Sequence, residues 1–124
     1  RMSKAGPVIV GLGADRLDEV DAVSRAAFDP RYGEAWTKAQ CLSALAMPGH
    51  RLKGVEVGGE LVGFAITRTI IDESELLLLA VVPEQRGNGL GRMLIENWLH
   101  DARNCGVRRA FLEMREDNPA AHLY

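Results

Sequence analysis

The chain has 124 residues, of which 47% are hydrophobic and 26% are charged, the balance of a single soluble globular domain. Its net charge of -2 gives no sign of a general nucleic-acid or membrane surface, and no apolar run approaches the roughly 20 residues of a membrane-spanning helix. Two cysteines and three histidines are scattered singly, so we expect no metal site and a cytoplasmic protein.

Hydrophobic periodicity predicts strands and helices along the whole chain. In chain order they are a strand at 7–12, helices at about 16–28 and 38–47, strands at 51–57, 60–71 and 75–82, a helix at 93–104, a strand at about 107–115 and a helix from 119. Asp15 is the predicted N-cap of the first helix, and the run from Thr37 to Gln40 matches a capping box for the second. Gly58-Gly59 predicts a two-residue hairpin turn, and Gly106 is a suitable C-cap.

This order predicts one α/β domain over residues 1–124, without internal repeats or linkers. The four leucines at 76–79 indicate a strand that is buried on both faces. The strand-helix-strand unit over 75–115 should join parallel strands, whereas the earlier hairpin is antiparallel. We therefore predict a mixed sheet.

The glycine-rich stretch VVPEQRGNGLGR, residues 81–92, lies between the leucine strand and the next helix. It lacks the Gly-Lys-Ser/Thr of a Walker A loop and the last glycine of a GxGxxG fingerprint. The remaining pattern, R-x-x-G-x-G, suits a pyrophosphate, because glycines let phosphates approach the free N–H groups of the first helical turn. Arg86 and Arg92 can supply charge at the rim. The alternative is a tight turn that needs glycines only for its backbone angles.

The pattern V-x-P-x-x-R-G-x-G-x-G before an amphipathic helix resembles the acetyl-CoA loop of the GNAT family of N-acetyltransferases. The resemblance runs from about residue 8 to residue 124. It is sharpest in the segments FAITRTIIDESELLLLAVVPEQRGNGLGRMLI and LEMREDNPAAHLY. Within the family these segments look most like the ribosomal-protein-alanine N-acetyltransferases, which acetylate the amino terminus of the small-subunit ribosomal protein bS18. The resemblance implies the GNAT fold, with a central mixed sheet and helices on both faces.

The resemblance also implies which residues bind acetyl-CoA. The pantetheine arm would pair with the backbone of the leucine strand at Leu79, Ala80 and Val81. The pyrophosphate would lie over the loop and first helical turn, at Arg86, Gly87, Asn88, Gly89, Leu90, Gly91 and Arg92. Asn118 matches a cofactor-contacting asparagine, although it also suits a plain helix N-cap.

Acetyl transfer to an amine needs a base for the amine proton and benefits from an acid for the leaving thiolate. Glu113 lies in the apolar strand pattern FLEMR and matches the proton acceptor of the subfamily, although a solvent-facing strand glutamate is the plain alternative. Tyr124 matches the family's acid. Its spacing from Asn118 is one residue shorter than usual, and His122 is a weaker substitute. Trp36 resembles a tryptophan near the acceptor site, although it also suits a core position.

We therefore expect an acetyl-CoA-dependent N-acetyltransferase that acts on a protein amino terminus, without a metal. A small-amine acetyltransferase is the second interpretation, and an acetyl-CoA-binding module without turnover is the third. Family members continue past the Leu-Tyr pair with a further hairpin, so we expect the domain to be C-terminally incomplete. The strand at 107–115 would then present an unpaired edge, which favours association with another chain, as in a homodimer.

Overall fold

The computed structural model describes residues 6–28 and 36–112 of the chain. Within these ranges the strands are β1 (Val8–Gly11), β2 (His50–Val57), β3 (Glu60–Ile70), β4 (Glu73–Val81) and β5 (Arg109–Leu112). The α-helices there are α1 (Leu17–Ala27), α2 (Lys38–Ala46) and α3 (Leu90–Asn104). Short 3-10 turns at Ala14–Arg16 and Pro83–Gln85 precede α1 and the glycine loop. The observed order agrees with the predicted one, and the predicted helix from residue 119 lies outside the described residues.

The strands of the described residues form one sheet in the order β1-β2-β3-β4-β5. The pairs β1/β2, β2/β3 and β3/β4 are antiparallel, whereas β5 runs parallel to β4. The parallel pair follows from the chain path, because α3 returns the chain from the end of β4 to the start of β5. The prediction of a mixed sheet is confirmed.

Two apolar cores cover the two faces of this sheet. The first core packs α1 and α2 against one face; its buried members are Leu12, Leu17, Val20, Val23, Phe28, Cys41, Leu52, Leu61, Phe64, Ile66, Leu78 and Ala80. The second core packs α3 against the other face; its buried members are Val55, Val62, Ala65, Leu76, Leu79, Leu90, Leu94, Ile95 and Trp98. Helices on both faces are therefore confirmed. No helix in the described part of the chain is long and apolar enough to span a bilayer.

The leucine run of β4 is buried on both faces, as predicted, but a β-bulge breaks its alternation. Ile66 of β3 pairs with Leu78, and the next residue of β3 pairs with Leu76, so Leu77 is the extra residue. Leu76 and Leu79 therefore lie in the α3 core, whereas Leu77 and Leu78 both contact the α1–α2 core. A bulge of this kind bends the strand and leaves its extra residue without a partner.

Several local signals define boundaries as predicted. In the capping box, the Thr37 hydroxyl accepts from the backbone N–H of Gln40 at 3.1 Å, and the Gln40 side chain accepts from the Thr37 N–H at 2.8 Å. Gly58 and Gly59 have φ angles of 61° and 83°, which suit the predicted hairpin turn. At the end of α3, Gly106 has a φ of 83° and its N–H donates to the carbonyl of the second-last helical residue, as in a Schellman motif.

The predicted N-cap at Asp15 is wrong. Asp15 lies inside the 3-10 turn, and α1 begins at Leu17 without a side-chain cap. The turn forms because the N–H of Arg16 donates to the carbonyl of Gly13 at 3.1 Å. Arg16 then pairs with Glu19 of α1 at 2.6 Å and with Glu56 of β2 at 2.7 Å, so an ion pair across elements holds the helix start instead.

Candidate functional site

The glycine loop and the N-terminus of α3 form an open, donor-rich surface. Gly87 and Gly89 have φ angles of 84° and 78°, in the region that favours glycine. A Cβ atom at either position would meet no atom within 4 Å, so the space beside the loop is open. The first helical bond runs from the N–H of Met93 to the carbonyl of Gly89, at 3.0 Å. The N–H groups of residues 90–92 therefore lack intrahelical acceptors and, with the helix dipole, suit an anion.

Two polar side chains of the loop make hydrogen bonds that hold it in place, one within the loop and one to α1. Asn88 donates from its amide to the Oε1 of Gln85 at 3.1 Å. Arg86 reaches the end of α1, where its Nη2 donates to the carbonyl oxygen of Ala27 at 2.8 Å. A cation at a helix C-terminus also interacts favourably with the helix dipole. In this structure Arg86 therefore ties the loop to α1, whereas the side chain of Arg92 is exposed at the start of α3.

The backbone of β4 divides its hydrogen bonds between two sides. The N–H of Val82 donates to the carbonyl of Val62 at 2.9 Å. Because hydrogen-bonded and non-bonded pairs alternate in an antiparallel ladder, the peptide groups of Ala80 also face β3. Those of Leu79 and Val81 therefore face the opposite side, towards β5. Pairing of Leu79, Ala80 and Val81 with a cofactor stays a prediction, and the ladder makes Leu79 and Val81 the two whose peptide groups face away from β3.

The pairing between β4 and β5 covers only the first part of β4 among the described residues. Glu73–Leu76 pair with Arg109–Leu112, and the described part of β5 ends there. The bulged Leu77 comes directly after this paired segment, followed by the residues whose peptide groups face outward. The sequence carried no sign of this bulge, since a run of leucines does not mark the point where alternation breaks.

Of the remaining predicted site residues, Trp36 lies within the described ranges. Trp36 is partly buried and packs against the core between α1, α2 and the sheet, so its core interpretation is supported while its substrate role remains a prediction. Glu113, Asn118 and Tyr124 lie outside the described residues. Within the described ranges, no group of three or more His, Cys, Asp or Glu side chains is placed to hold a metal ion.

Comparison with curated proteins identifies relatives of this architecture. The chain is 37% identical over 73 residues to a ribosomal protein bS18-alanine N-acetyltransferase from Haemophilus influenzae, covering 59% of this chain and 49% of the relative. It is 36% identical over 123 residues to the N-alpha-acetyltransferase RimI of Mycobacterium tuberculosis, covering 93% of this chain and 73% of the relative. The chain thus spans about half the length of the first of these relatives and about three quarters of the second.

Solved structures match the fold. A ribosomal-protein-alanine N-acetyltransferase from Escherichia coli superposes with a TM-score of 0.82 at 26% identity, covering 95% of this chain and 73% of that one. The PaiA N-acetyltransferase of Thermoplasma acidophilum, solved with coenzyme A, also gives a TM-score of 0.82, at 19% identity and coverages of 96% and 86%. The model of the Acetyltransferase (GNAT) family matches residues 17–124, which include the glycine loop and the four strands β2 to β5. The chain therefore belongs to the GNAT family of acetyltransferases.

Proposed function

We propose that this protein is an acetyl-CoA-dependent N-acetyltransferase that modifies the amino terminus of a protein, most specifically the terminal alanine of a ribosomal protein. The observation that carries the proposal is the open N-terminus of α3 beside two glycines that leave room for an anion. The names of the two curated relatives support an amino-terminal acceptor. The reaction would take place in the cytoplasm, where ribosomal proteins are made.

The cofactor pyrophosphate would accept hydrogen bonds from the backbone N–H groups of residues 87–92. The dipole of a 15-residue helix adds positive potential at that point, and the exposed Arg92 adds a full charge. Arg86 would act indirectly, since its bond to Ala27 sets the position of the loop. The pantetheine arm would lie along the side of β4 that faces away from β3, where the peptide groups of Val81 and Leu79 would pair with its amides.

The chemistry requires a neutral amine, whereas a peptide amino terminus has a pKa of about 7.7–8.0 and is largely protonated at pH 7. Glu113 would accept the amine proton as the nitrogen attacks the thioester carbonyl carbon. The carbon–sulfur bond then breaks, and Tyr124 would give its proton to the leaving thiolate. Asn118 would contact the cofactor and Trp36 the acceptor. Glu113 directly follows Leu112 in the sequence, and Leu112 pairs with Leu76 of β4, which supports the proposed role of Glu113.

Release of free thiol from acetyl-CoA tests the proposal. The protein is incubated with an alanine-initiated peptide, with a panel of small amines, or with no acceptor. We expect the peptide to be the best acceptor, with mass spectrometry locating the acetyl group on its α-amino nitrogen. Faster transfer to a small amine would favour the second interpretation. Cofactor binding without thiol release for any acceptor would favour a binding module.

Glu113→Gln tests the assignment of the base. The substitution keeps the shape and removes the basicity, so turnover should fall by roughly 10²–10⁴-fold while acetyl-CoA affinity is unchanged. Glu116→Gln, the same change three positions along the chain, serves as the control and should retain activity. If Glu113→Gln keeps nearly full activity across the pH range, the base is another group.

A further inference from the structure

Glu75 of β4 lies on the face of the sheet that carries α1 and α2. Its two neighbours in sequence point the other way. The Ser74 hydroxyl accepts from Nε1 of Trp98 in α3 at 2.8 Å, and Leu76 packs in the α3 core. Because successive side chains of a strand point to opposite faces, the Glu75 carboxylate lies on the face opposite to α3.

A neighbouring arginine holds this carboxylate in place while leaving it accessible. Nη2 of Arg68 on β3 donates to Oε1 of Glu75 at 2.5 Å, and the two residues are direct cross-strand partners. The side chains remain 42% and 27% exposed. A carboxylate accepts hydrogen bonds through both of its oxygens, so Oε2 can receive a further donor.

Phe111 adds an apolar wall on the other side of the carboxylate. It is the β5 residue in register with Glu75, and its side chain is 44% exposed. Partners on adjacent strands are about 4.8 Å apart, and in a parallel pair they share a face. An accessible aromatic ring beside a fixed carboxylate suits a small cation that carries an aliphatic group, because the ring face itself attracts cations.

Glu75 lies just before the part of β4 whose peptide groups at Leu79 and Val81 face away from β3. Glu75 is two residues before the bulged Leu77 and four before Leu79, which correspond to about 7 Å and 13 Å along a strand. A pantetheine arm that follows β4 from Val81 towards Leu77 brings its acyl end to the bulge. An acceptor amine bound at Glu75 would therefore lie just beyond the acyl group.

We infer that Glu75 and Phe111, with Arg68 holding the carboxylate, form a subsite that binds the protonated α-amino group of the acceptor before the amine is deprotonated. The inference rests on the proposed function and extends it, because it names the group that recognises the acceptor. Glu75 acts by binding the ammonium ion, and the proton is removed by another group. The exposed ring of Phe111 offers an apolar contact for the methyl side chain of an amino-terminal alanine.

Glu73 provides a matched control. It lies on the same strand and the same face, one pleat further from the bulge, and pairs with Arg109 at 3.6 Å. We compare Glu75→Gln with Glu73→Gln, measuring kcat and KM for an alanine-initiated peptide and the affinity for acetyl-CoA. Loss of a charged hydrogen bond predicts a KM for the peptide that is roughly tenfold or more higher in Glu75→Gln. Its kcat and acetyl-CoA affinity should stay near the wild-type values, and Glu73→Gln should match the wild type in all three.

A peptide that lacks only the α-amino group distinguishes recognition of charge from a structural effect. Its inhibition constant against the normal peptide should be the same for the wild type and Glu75→Gln. The inference is overturned if Glu75→Gln behaves as Glu73→Gln does. It is also overturned if Glu75→Gln weakens binding of the normal peptide and of the peptide without an α-amino group by the same factor. The proposed function fails separately, when the wild-type protein acetylates no peptide. If a small amine is then the acceptor, the same variants test the ammonium subsite with that amine.

Discussion

Replacing Gly89 by alanine distinguishes a phosphate-binding loop from a tight turn. Gly89 is the N-cap of α3, with φ at 78°, and an added Cβ would meet no protein atom within 4 Å. The only cost to the folded protein is therefore the left-handed backbone conformation, about 1–2 kcal/mol for a residue with a Cβ. For a chain of this size, a loss of 1 kcal/mol lowers Tm by roughly 2–8 °C.

The expected effect on acetyl-CoA binding is larger than this backbone cost. The added methyl group would occupy the open space in which the pyrophosphate is expected, and would move it away from the N–H groups of residues 90–92. A hydrogen bond to a charged group contributes about 1.5–3 kcal/mol. Loss of one such bond therefore weakens binding by roughly 10–150-fold, since each 1.4 kcal/mol corresponds to a factor of ten.

Gly106→Ala is the matched control. Gly106 has φ at 83°, and its Cβ would also meet nothing within 4 Å, but it lies at the other end of the 15-residue α3, about 22 Å away by helical rise. Titration calorimetry with acetyl-CoA and thermal unfolding are measured for both variants. We expect both variants to lose a similar amount of Tm, and only Gly89→Ala to lose affinity for acetyl-CoA. Unchanged affinity in Gly89→Ala, or equal losses in both variants, would refute the reasoning.

Two further predictions concern the scaffold. Ser74→Ala removes the acceptor that lies 2.8 Å from the buried indole N–H of Trp98. The free energy of unfolding, measured in denaturant, should therefore fall by about 1–3 kcal/mol. A negligible change would contradict the importance of this hydrogen bond. Burial, and to a smaller extent the negative charge of Asp21, raises the pKa of the Cys41 thiol. A higher pKa lowers the fraction of Cys41 that is thiolate at any given pH. Cys105, in contrast, is exposed. A thiol reagent at pH 8 should therefore add once to the native protein, at Cys105, and a second time only after unfolding; rapid double labelling in the native state would contradict this.

The sequence alone predicted the features that depend on residues close together in the chain. The capping box at Thr37, the hairpin turn at Gly58-Gly59 and the glycine cap at Gly106 each involve backbone angles and hydrogen bonds within five residues. The glycine loop belongs to the same class, because φ angles and free N–H groups at a helix start follow from local sequence. Asp15 shows the limit of this reasoning, since a 3-10 turn competed successfully with the predicted cap.

Pairing between distant residues decided the rest of the candidate site. The sequence predicts that Arg86 is a phosphate-binding cation, yet its side chain donates a hydrogen bond to the carbonyl of Ala27, which is 59 residues away in the chain. The partner of Glu75 and the bulge at Leu77 depend on the register between β3 and β4, and register depends on the summed burial of both sheet faces. Local preferences therefore determined where each element and the loop begin, whereas tertiary packing decided which side chains and peptide groups face the candidate site.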